Sequence, residues 1–122
     1  MSKKLNAVRK HLYAGIEDAG CYTSEDFKKF SREFKSMMLE QLKKVNGTDY
    51  KQNVGHYFIS GFFKVDEQPY YISLSDVRYE RPERINLLIR TAKDYKDYHG
   101  GTNHYVDFMT EDDVLVGRLP RA

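Results

Sequence analysis

The side chains best suited to bind a metal or move a proton in this 122-residue chain are four histidines and the lone Cys21. His99 and His104 lie five apart across Gly100-Gly101, and His56 falls in an alternating segment that could neighbour the one bearing His104. Zinc needs three or four converging ligands, commonly delivered by tight C-x-x-C or H-x-x-x-H pairs. Neither spacing occurs here, so His56, His99 and His104 stand as candidates only, and no metal or other cofactor is expected. Acid–base hydrolysis would recruit His56, His104, Asp76 and Asp97, held within hydrogen-bond reach of a substrate. The chain contains no G-x-S-x-G, H-E-x-x-H or Walker loop. Gly100-Gly101 lacks the following Lys-Ser/Thr and helix start of a phosphate cradle, and reads as a turn needing positive φ. No residue is assigned a catalytic role, and an enzyme is not expected.

Side chains suited to contact are more numerous. Between Lys93 and Tyr105 the chain is dense in recognition residues: Tyr95, Lys96, Asp97, Tyr98, His99, Asn103 and Tyr105. Interfaces enrich Tyr, Arg and Met, so this loop is the leading candidate surface for a protein partner. Phe58, Phe62 and Tyr71 would extend it if no helix covers their face of the sheet. The alternative is nucleic acid, bound by Arg78, Arg81, Arg84 and Arg90 with Lys93, Lys96 and the loop tyrosines, since basic groups interleaved with aromatics suit single strands. Glu80, Glu83, Asp94 and Asp97 offset those cations locally, and the net charge of +2 shows no general basic excess.

The elements that must position these residues follow from periodicity. Leu5, Val8, Leu12, Tyr13 and Ile16 recur at three and four, predicting a helix over 3–19 that ends at Gly20. Thr23 or Ser24 caps a second helix, with Glu25 and Asp26 in its first turn. Phe27, Phe30, Phe34, Met37, Met38 and Leu42 carry that helix to about Val45, and the short connection implies an antiparallel hairpin. From Val54 to Val65 the period becomes two, predicting a strand in which Gly61 marks a bulge or a close approach. Asp66-Glu67-Gln68 reads as a hairpin loop and Tyr70–Val77 as the next strand. Ile85–Ala92 is apolar on both faces, as an interior strand should be. A short strand, His104–Phe108, follows the loop. Thr110 with Glu111, Asp112 and Asp113 reads as the capped start of a terminal helical turn.

The expected class is α+β. A helical hairpin (3–46) packs on a mainly antiparallel four-stranded sheet (54–108), and a short helical segment (110–118) ends one domain, 1–122. A 40% apolar, 31% charged composition is that of a globular chain. A single cysteine fits a reducing compartment, and no apolar run approaches the roughly 20 residues of a membrane span. The basic start, MSKKLNAVRK, lacks the apolar core of a secretory signal, so a cytoplasmic location is expected.

Five stretches, AVRKHLYAGIEDAG, YTSEDF, GHYFISGFF, ISLSDVR and LLIRTAKDYKDYHGGTNHY, span Ala7 to Tyr105. In these the chain resembles small uncharacterised proteins carried by phages, plasmids and integrative elements of Gram-positive bacteria. The resemblance brings no catalytic residues with it. It implies host interaction or anti-defence, in the bacterial cytosol, and similar proteins of this size and source include anti-CRISPR inhibitors that block a Cas nuclease by protein–protein contact.

Overall fold

The structure is a computed structural model and describes residues 2–16, 23–55, 58–77, 80–94 and 101–121, leaving aside the side chain of Phe58. Helix α1 spans Lys3–Ala14, capped by Ser2, whose Oγ accepts the Leu5 N–H at 3.1 Å. It buries Leu5, Val8 and Leu12 as one stripe, with Arg9 beside them. The predicted continuation to residue 19 stops at Ala14, because Gly15 takes φ 85° and breaks the helical path. Helix α2 spans Glu25–Lys44, with Ser24 Oγ accepting from the Phe27 N–H and Glu25 and Asp26 in the first turn. Its buried face is Phe27, Phe30, Phe34, Met37, Met38, Gln41 and Leu42.

The two helices run antiparallel. Ser2, before α1, hydrogen-bonds to Glu40 near the far end of α2, whereas His11 meets Asp26 and Glu33 towards its start. The His11 ring lies edge-on to Phe30, and each of its nitrogens faces a carboxylate, at 2.9 Å (Asp26) and 3.2 Å (Glu33).

The sheet has five antiparallel strands in the order β1-β2-β3-β4-β5, with β1 Thr48–Gly55, β2 Phe58–Val65, β3 Gln68–Leu74, β4 Asn86–Thr91 and β5 Asn103–Asp107. Four strands were expected, and β1 is the addition. The stretch TDYKQNVG offers little apolar alternation because β1 is an edge strand, shifted in register between Thr48 and Lys51 and with Asp49 at φ 58°. The single strand expected over Val54–Val65 is two: Gly55 pairs with Phe58, and the chain reverses between them. At Asp66-Glu67 the expected hairpin is present, both residues taking positive φ (50° and 68°), as a primed turn requires.

Strand parity assigns the faces. Ile59, Phe63 and Val65 of β2, Tyr70, Ile72 and Leu74 of β3, Leu87 and Ile89 of β4 and Val106 of β5 are buried in one core with the helices. Each large side chain buried there contributes about 1.5–3 kcal/mol. Phe63 stacks on its cross-strand partner Tyr70 at 5.4 Å, and Phe34 of α2 stacks on Phe108 at 6.0 Å. Gly61 was expected to mark a bulge or the approach of a helix or partner; its tight neighbours are instead on the adjacent strands, a Cβ there lying 3.0 Å from the Tyr50 ring and 3.1 Å from Ile72. The edge strand is tied to α2 by polar bonds. The Tyr50 hydroxyl donates to Gln52 Oε1, and Gln52 Nε2 donates to the Ser31 carbonyl (2.9 Å) and Oγ (3.1 Å). Burial pushes the Tyr50 phenol well above its ordinary value.

Residues 110–118, expected as a helical turn, form turns and bends instead. Tertiary partners claim the backbone that a helix would use. The Val114 N–H goes to Gln41 Oε1 at 3.1 Å, Arg118 N–H closes a turn onto Leu115, and Gly117 takes φ 72°. This segment buries Val114 and Leu115 and seals the end of the core. Arg9 holds it: its Nε donates to the Phe108 carbonyl at 2.8 Å and its Nη2 to the Glu111 carbonyl. Burial lowers the Arg9 pKa, while Asp112 and Asp107 oppose that effect.

Replacing Arg9 by Leu leaves these carbonyls without their charged donor, and should cost about 2–3 kcal/mol in urea denaturation. Limited proteolysis should then open the chain first after Phe108. Lys44 and Asp113 pair at 2.8 Å, which raises the ammonium pKa and lowers the carboxyl pKa chiefly through that hydrogen bond. Because the folded carboxyl pKa lies below the unfolded one, this stabilisation is present above the unfolded range and fades as pH falls through the folded value. Both side chains are substantially exposed (43% and 34%). Asp113→Asn should therefore cost only about 0.2–1 kcal/mol near neutral pH, a difference that vanishes in acid denaturation curves.

Candidate functional site

With both helices and the C-terminal segment on one side, the opposite face of the sheet carries the alternate residues of every strand. Register places them in rows across the strands. One row reads Lys51, Phe62, Tyr71, Arg90, Asn103, and the next reads Asn53, Ser60, Ser73, Leu88, Tyr105. Lys64 lies two residues beyond Phe62, and Asn86 and Asp107 pair at the other end. Phe62 is buried at the centre of this face, Tyr71, Leu88 and Arg90 are half-buried, and Tyr105 is 63% exposed. Arg90 Nε donates to Asn103 Oδ1 at 2.6 Å, which fixes the direction of the guanidinium. The one carboxylate in these rows, Asp107, accepts the Met109 N–H at 3.1 Å and lies close enough to Arg9 to feel its charge.

The residues after β4 and before β5 are pinned by hydrogen bonds. The Thr91 N–H donates to the Thr102 carbonyl (3.1 Å), and the Thr102 N–H returns to Thr91 Oγ1 (2.8 Å). The Ala92 N–H donates to the Pro69 carbonyl, while Gln68 Nε2 donates to the Ala92 carbonyl, both at 3.0 Å. Gly101 lies so close to this clamp that a Cβ would fall 1.7 Å from the Thr91 carbonyl oxygen. A need for positive φ was anticipated at the Gly pair. At Gly101 the requirement is space, since its φ does not lie in the left-handed region.

The residues singled out in the sequence divide as follows. Tyr95, Lys96, Asp97, Tyr98 and His99 lie outside the described residues, as do Arg78 and His56. Asn103, Tyr105 and Arg90, expected to serve different partners, share one face and two of them share a hydrogen bond. Arg81 and Arg84 sit on the exposed 3-10 turn that precedes β4, off these rows. His104 turns to the other face from Tyr105, opposite Ile89. Asp76 lies beyond the end of β3 at Leu74, past the rows that hold His104. Among the described residues no three His, Cys, Asp or Glu side chains converge as metal ligands.

Lys51, Asn53, Ser60, Lys64 and Ser73 were not anticipated. Once β2 is read as a strand, alternation marks Ser60 and Lys64 as companions of Phe62. Lys51 and Asn53 had no such signal, because β1 lacks apolar periodicity. A groove of about 490 Å3 between α1, α2 and β1, lined by Lys4, Leu39, Lys43, Asp49 and Tyr50, is a weaker site. Its cations are matched by Glu40 and Asp49 on its own rim.

Comparison with family models, with curated proteins and with solved structures found no match. Among the described residues no helix is long and apolar enough to cross a membrane.

Substituting Gly101 by Ala should force these pinned residues apart, at a cost of about 1–3 kcal/mol. Amide hydrogen exchange should then speed at Thr91 and Thr102 before the rest of the sheet.

Proposed function

We propose that this chain is a non-catalytic binding protein that works by contact through the outer face of its sheet. The observation that carries this reading is the one-sided covering of the sheet among the described residues. Helices and C-terminal segment lie on one face, and Tyr105, Asn103 and Arg90 gather on the other beside Tyr71 and two lysines. Large, rigid Tyr side chains among amides and Arg are the composition of a recognition surface. The resemblance to small proteins of Gram-positive mobile elements supports placing this contact in anti-defence, with blockade of a Cas nuclease as the form it takes.

Affinity capture from a Gram-positive host lysate tests the contact surface. The full chain should retain a specific component, and Tyr105→Ala combined with Asn103→Ala should lose it while the circular dichroism melt stays unchanged. Equal capture by a folded double variant would remove the outer face from the account.

A further inference from the structure

The partner's chemistry is legible in the charge of the same face. Its rows carry three cations, Lys51, Lys64 and Arg90, against one carboxylate, Asp107, which lies at the rim and already accepts a backbone N–H. These four charges sum to +2, equal to the formal net charge of the whole chain. Lys51 and Arg90 close the ends of a row that has Phe62 and Tyr71 between them, about 14 Å apart over three strand spacings. Tyr105 stands one row away, mostly exposed, on the strand beside Arg90. Asn53, Ser60, Ser73 and Asn103 add neutral groups that donate and accept hydrogen bonds, and Leu88 is the apolar residue between Ser73 and Tyr105.

Cations flanking aromatic rings on an antiparallel sheet match a ligand that carries both phosphates and flat bases. An acidic protein surface would meet the same cations and pack on the rings, and is the outcome that the capture experiment below separates. Resting on the contact reading above, we propose that the outer face binds single-stranded nucleic acid, with Lys51, Lys64 and Arg90 receiving phosphates and Tyr105 and Tyr71 stacking on bases. This places the nucleic-acid surface on β1–β5, not on the Arg81–Arg84 connection.

The test is fluorescence anisotropy of the full chain with a labelled oligothymidylate of about 16 nucleotides, a length sufficient for such platforms. Three phosphate contacts predict that log K falls against log salt with a slope of about −2. Lys51→Gln and Lys64→Gln should each flatten that slope by about 0.7. Tyr105→Ala should weaken binding roughly 5- to 100-fold with the slope unchanged, and a matched thermal melt shows that the fold persists. Absence of binding at low salt, or a folded Tyr105→Ala that binds as wild type, overturns the proposal. Capture from nuclease-treated lysate separates the two readings. If a protein is still retained and lost with Tyr105→Ala while the oligonucleotide is not bound, the contact surface stands and its partner is a protein. If neither ligand depends on Tyr105, both readings fall.

Discussion

Helix α2 contributes seven buried side chains to the core, and Phe27, Phe30, Phe34 and Met37 are wholly or almost wholly excluded from solvent. A surface that large must be met by an equally continuous apolar face, and a pleated sheet offers one only by sending alternate residues to the same side. Once Ile59, Phe63, Ile72, Leu74, Leu87 and Ile89 are committed to α2, their neighbours are committed to the other side. The outer face is thus a geometric consequence of the core. A one-residue slip of any strand would invert both faces together.

The remaining polar interactions protect that division at its margins. Gln52 bridges the edge strand to α2 where β1 has little apolar surface to offer. Arg9 and Gln41 bring the C-terminal segment across the open end of the core by holding its backbone, a role apolar side chains could not fill. The Thr91–Thr102 clamp, with the side-chain-free Gly101 packed against the Thr91 carbonyl, ties the end of β4 to the residue before β5.

Strongly periodic elements were legible from residue order. The α2 stripe and the Asp66-Glu67 reversal lie close to where spacing puts them, because local preference and tertiary packing agree there. Three features were hidden for physical reasons. The chain reverses between Gly55 and Phe58 without disturbing the period-two pattern, so one apparent strand is two. Strand β1 is held by polar bonds and by its neighbour, with no apolar alternation to reveal it. The Glu111–Leu119 segment has the composition of a helix start, but Gln41 and the core compete for its backbone and its apolar residues. For the site, Tyr105, Asn103 and Arg90 were each visible by type. That they meet depends on the pairing of Arg90 with Asn103, a register that no local pattern encodes.

Nuclear magnetic resonance mapping gives the most direct test of the central claim, that the outer face of the sheet binds single-stranded nucleic acid. Titrating labelled protein with single-stranded oligothymidylate, the account predicts that the side-chain signals of Asn53, Asn103, Tyr71 and Tyr105 shift together. Signals of Tyr13 on α1 and Leu39 on α2, both exposed on the helical side, should stay in place. Shifts confined to the helices, or none at saturating oligonucleotide, would contradict it.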